Sequence, residues 1–113
     1  MKRLILLALV LLFAGAALHA QTDKAAQYTR EAEYYQKKAQ GYRQEAEYYL
    51  KKAADYTREA DYYLRKGDTS RASMNQRWAS EATDKANLQM RWAREAEEKA
   101  AQYLKWAADA LRR

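Results

Sequence analysis

Six aromatic residues at regular spacing are the side chains of this 113-residue chain best suited to contact a ligand or partner. Tyr34, Tyr48 and Tyr62 recur every 14 residues, and so do Trp78, Trp92 and Trp106. Flat rings at a helical period offer stacking surfaces, to rings of a second chain or to the apolar faces of sugars. Acid–base chemistry has weaker support. Carboxylates recur in pairs, Glu31/Glu33, Glu45/Glu47 and Glu59/Asp61, but residues two apart point to different sides of a helix, so they read as salt-bridge partners. Glu97 and Glu98 with Asp84 and Glu95 can attract a hard cation loosely, yet no loop collects the six or more oxygens that calcium takes.

The chain has no cysteine and a single histidine, His19. Most nucleophilic and general-base chemistry and most transition-metal sites are thereby removed. The tyrosine and tryptophan rows have no visible redox centre to feed them. The sequence therefore predicts no enzyme, with no catalytic, metal-binding or cofactor-binding residue.

The first 20 residues have the layout of a secretory signal peptide: a basic start (Lys2, Arg3), an apolar run from Leu4 to Leu18, and small residues before Gln21. Cleavage is expected after Ala20, with Ala17 the alternative, leaving residues 21–113 as one domain, periplasmic or extracellular. The apolar run is shorter than the roughly 20 residues of a membrane span. Loss of Lys2 and Arg3 lowers the net charge from +6 to +4. So mild a basicity, spread over interleaved acids, gives no expectation of nucleic-acid binding.

The aromatics must be positioned by helices. Alanine and tyrosine alternate at three- and four-residue steps from Ala25/Tyr28 to Ala60/Tyr63, and the beat stops at Gly67. This is a heptad with alanine at a and tyrosine at d. The same stretch divides into three 14-residue repeats of the form A-x-x-Y-x-x-E-A-x-Y-Y-x-x-K. A second series follows, with Ala72, Ala79, Ala86, Ala93, Ala100 and Ala107 at a, and Asn75, Ala82, Gln89, Ala96, Tyr103 and Ala110 at d. The expected fold is all-α: an antiparallel two-helix coiled-coil hairpin with helices over 22–66 and 70–112 and a turn at 67–69.

A turn centred on Gly67 and Asp68 makes facing residue numbers sum to about 135, so each d tyrosine of the first helix faces an a alanine of the second. Large against small lets the helices approach closely. Asn75 and Gln89 are polar exceptions that fix register at a cost in stability. Gly67 suits a left-handed cap, and Asp68, Thr69 or Ser70 can cap the second helix. Gly41 stands at an outer c position where a helix loses about 1 kcal/mol relative to alanine.

With a and d closed, the tyrosines at c of the first helix and the tryptophans at g of the second lean to one side. Leu50, Leu64, Met90, Leu104 and Leu111 lie on the other. Such exposed apolar faces predict self-association into a four-helix bundle, larger oligomer or filament through Trp78, Trp92, Trp106, Tyr34, Tyr48 and Tyr62. A cell-wall or exported glycan stacked on the same ladder is the alternative partner. An anionic membrane surface is a weaker third, because acids interleave with the bases.

The segment Glu45 to Ala72 (EAEYYLKKAADYTREADYYLRKGDTSRA) resembles the bacterial exported small metal-binding proteins, helical hairpins built from alanine-bearing heptads around a central glycine turn. The resemblance implies the same hairpin. Members that bind metal do so through histidines repeated along the helices. Here those positions hold tyrosine, lysine or glutamate, so metal binding is not carried over.

Overall fold

A computed structural model describes residues 16–112, which form two helices, α1 (Ala16–Arg65) and α2 (Thr69–Arg112). The fold is an all-α helical hairpin. Residues 1–15, which hold most of the expected signal segment, and Arg113 lie outside the described residues.

Helix α1 begins earlier than the expected residue 22 and runs through Ala17 and Ala20 without a break. Alanine is the strongest helix former and the chain contains no proline to stop the helix. At its other end, the N–H of Asp68 donates to the Tyr63 carbonyl (2.9 Å) and that of Gly67 to the Leu64 carbonyl (3.1 Å). These two bonds form a Schellman cap, and Gly67 takes its left-handed conformation with φ of 79°. Of the three candidate N-caps Asp68 takes the role, accepting from the Arg71 N–H at 3.0 Å. Thr69 is consequently the first residue of α2 and not part of the turn.

The chain divides into two compact units. The turn unit is Lys38–Glu95; the terminal unit, Met1–Lys37 with Ala96–Arg113, is described from residue 16 onward. Within each, a stretch of α1 packs antiparallel against a stretch of α2. In the turn unit Tyr42 meets Trp92 and Tyr56 meets Trp78; in the terminal unit Tyr28 meets Trp106. Both sets of contacts obey the predicted register.

The a positions behave as the heptads predict: Ala25, Ala32, Ala39, Ala46, Ala53 and Ala60 of α1 are buried, as are Ala72, Ala86, Ala93, Ala100 and Ala107 of α2. Ala79 is half-buried. At d of α2, Asn75, Ala82 and Ala96 are buried, while Gln89, Tyr103 and Ala110 are half-buried. The d tyrosines of α1 depart from expectation, because all six are only half-buried. Alanine-lined helices approach too closely to hold a phenol ring between them, so the rings swing out over the seam.

Every buried apolar side chain among the described residues is therefore an alanine. A methyl-sized group contributes about 0.8 kcal/mol on burial, against about 1.5–3 kcal/mol for a larger apolar side chain. The hairpin closes tightly but on a thin core.

Candidate functional site

In the turn unit the tyrosine rings that leave the seam are met by two kinds of neighbour in alternation. Tyr42 and Tyr56 carry Trp92 and Trp78, with ring centroids 5.6 and 5.7 Å apart. Tyr49 and Tyr63 carry cations instead, Lys85 with its Nζ 5.6 Å from the ring and Arg71 with its guanidinium 5.5 Å away. Each of these two also receives a tyrosine edge-on at 5.3 Å, Tyr48 against Tyr49 and Tyr62 against Tyr63. Lys52 and Lys66, one turn further on, sit over Tyr48 and Tyr62 at 5.5 and 5.6 Å. Cation–π contacts of this kind contribute about 0.5–1 kcal/mol at exposed sites.

The alternation has a simple origin in α2. Its g series through the turn unit reads Arg71, Trp78, Lys85, Trp92, so cation and indole succeed one another every seven residues. Helix α1 supplies the complement, with an extra tyrosine at c beside each cation-bearing ring. Tyr48, Tyr49, Lys52, Trp78, Glu81 and Lys85, among others, line a groove of about 240 Å³. A second groove, about 510 Å³, is lined by Lys38, Gly41, Tyr42, Gln44, Glu45 and Gln89.

The terminal unit uses the same parts differently. Tyr103 stacks on Tyr35 at 5.7 Å with the planes 10° apart, and also contacts Tyr28 (6.1 Å) and Trp106 (5.2 Å, edge-on). Trp106 reaches Tyr28 at 5.8 Å, and Tyr34 adds an edge to Tyr35 at 5.1 Å. Lys99 covers Tyr35 at 5.3 Å. A five-ring cluster results.

The six residues singled out by sequence are all exposed. Tyr34, Tyr48 and Tyr62 show 51–53% of their surface, and Trp78, Trp92 and Trp106 show 38–42%. Tyr48 and Trp78 share one groove, and Tyr34 is linked to Trp106 through Tyr35 and Tyr103. Trp92 lies on Tyr42 and Tyr62 on Tyr63. Beside them stand further residues, in the turn unit Tyr42, Tyr49, Tyr56 and Tyr63 with Arg71 and Lys85, and in the terminal unit Tyr28 and Tyr35 with Lys99. Their signal was available, since each cation stands seven residues before a tryptophan. Met74 and Leu88 are also exposed; one helical turn before Trp78 and Trp92, they extend the same side.

On the opposite flank Leu50, Leu64 and Leu111 are exposed, whereas Met90 and Leu104 are half-buried. Among the described residues no group of three or more histidine, cysteine or acidic side chains converges as metal ligands would. Nor is any described helix long and apolar enough to cross a membrane. Compared with protein families, curated proteins and solved structures, the chain matches none.

Proposed function

We propose that this chain is a non-enzymatic exported structural protein that self-associates through its aromatic flank, completing a four-helix bundle or a longer assembly. The observation that carries this reading is the contrast, among the described residues, between a core whose apolar side chains are all alanine and six aromatics left exposed, in the turn unit and in the terminal unit alike. Large apolar side chains contribute most when buried, and here they stand outside the seam where a second chain can cover them. Charge supports the same partner. Lys52, Lys66 and Lys85 are interspersed with Glu45, Glu59 and Glu81, a mixed-sign surface that complements a copy of itself better than a polyanion. Export rests on the N-terminal layout; sequencing of protein recovered outside the cytoplasm is expected to begin at Gln21 or Leu18.

The mass of the chain from Gln21 onward, measured by light scattering over a wide concentration range, tests self-association. A dimer or larger species is expected, with Trp92→Ala lowering the mass while helicity is retained. A fully helical monomer at every concentration would remove the reading. One observation favours a second reading. The groove beside Trp78 sets an exposed indole among Lys52, Glu81 and Lys85, the pairing of flat apolar face and hydrogen-bonding rim that suits a sugar. In that case the protein stays monomeric, and a polysaccharide pull-down is lost in Trp78→Ala.

A further inference from the structure

We infer that a second copy of the chain docks antiparallel across Gly41, with a two-fold axis at that residue and Lys38 and Glu45 of each copy paired with Glu45 and Lys38 of the other. The inference rests on the self-association proposed above and specifies its register.

Three observations support it. Gly41 lies in the interior of a 50-residue helix, where glycine is unfavourable. Its own fold does not require it, because a Cβ built there meets nothing within 4 Å and its φ is not positive. The absent side chain leaves open space on the outer face of α1, and close approach of another backbone is what a glycine there permits.

The second observation is charge order. The g positions flanking this site alternate as Lys38, Glu45, Lys52, Glu59. A two-fold axis parallel to the helix and facing Gly41 would put the g series of the two copies on opposite flanks of the contact, where lysine and glutamate cannot pair. An axis perpendicular to it at Gly41 sets Lys38 against Glu45 of the second copy, and the reverse. Axes at Tyr48 or Asp55 preserve opposite-charge pairing, but they put tyrosine on tyrosine or carboxylate on carboxylate at the point of closest approach. Gly41 combines matched charges with a contact that no side chain obstructs.

The third is Gln89. It lines the groove beside Gly41, Lys38, Gln44 and Glu45, and its buried Oε1 accepts no hydrogen bond from the described residues. Buried acceptors are normally satisfied. That oxygen is enclosed within the chain, so what a second copy meets in this groove is its open polar lining, Gln44 and Glu45 beside Gly41.

Because the chain has no cysteine, the full protein carrying Gly41→Cys tests the axis directly. A residue on a two-fold axis meets its own copy, within the roughly 7 Å between Cα atoms that a disulfide needs. Rapid oxidation to a covalent dimer is expected for Gly41→Cys and not for Ala54→Cys, an exposed position elsewhere on α1. Equal rates, or no cross-link at either position, would overturn the proposal. A charge-swap experiment gives a second readout. Lys38→Glu and Glu45→Lys should each weaken dimerisation roughly tenfold or more, since like charges then face one another. Mixing the two variants should restore a heterodimer. Should the unaltered protein be a dimer whose mass ignores all these changes, this register is wrong while self-association stands; a monomeric unaltered protein ends both.

Discussion

Three residues before each tryptophan, the two units of this molecule make opposite choices. The turn unit has Asn75 before Trp78 and Gln89 before Trp92; the terminal unit has Tyr103 before Trp106. The position is d of α2 in every case. In the terminal unit the added ring contacts Tyr28, Tyr35 and Trp106 and gathers them into a cluster. In the turn unit the amides contribute no ring, and the Trp–Tyr pairs stay separate, with the Lys85-covered Tyr49 between them. One repeat position thus decides whether the aromatics seal against each other or remain an open ladder.

The largest effect is expected from Tyr103→Ala, which converts the terminal unit to the pattern of the turn unit. A half-buried tyrosine with three aromatic partners should cost about 2–4 kcal/mol on truncation, below the full range for a buried aromatic. Amide hydrogen exchange should show the loss confined to the terminal stretches of α1 and α2. Uniform loss of protection throughout the chain would mean that the cluster supports more than its own unit.

The reverse graft, Gln89→Tyr, should build a second cluster around Tyr42 and Trp92. Filling the groove and removing a buried unsatisfied acceptor are each favourable, and a gain of about 1–2 kcal/mol in denaturant unfolding is expected. The same ring would occupy space beside Gly41, so the variant should associate less while being more stable. Higher stability with unchanged association would show that the groove is not where copies meet.

The heptads carried most of this architecture. Alanine at a, the break at Gly67 and the register all followed from spacing, because a repeat states the direction of each Cβ and an antiparallel turn fixes which Cβ atoms face. Spacing says little about where a long side chain ends. Tyr42, Tyr49 and Tyr56 have Cβ atoms aimed at the seam, yet their rings come to rest over its edge, against Trp92, Lys85 and Trp78. The candidate interface was legible as a face. The role of Tyr103 in closing one part of it depends on ring geometry that no periodicity contains.

The smallest effect separates the two amides of the turn unit from each other. Asn75 is buried, but its Nδ2 donates to the Arg71 carbonyl at 2.9 Å, so its polarity is satisfied within α2. Gln89 has a buried oxygen without such a partner. Replacing Asn75 by alanine removes a made bond along with a buried polar group, and the two terms nearly cancel within about 0.5–1 kcal/mol. Replacing Gln89 by alanine removes an unsatisfied acceptor and should stabilise the isolated chain by about 1 kcal/mol. Urea midpoints measured at low concentration, where association is minimal, should therefore rank Gln89→Ala above the unaltered protein and Asn75→Ala close to it. If Gln89→Ala is instead the less stable, that oxygen already has a partner, and its amide works for the hairpin as Asn75 does, with no need of a second chain.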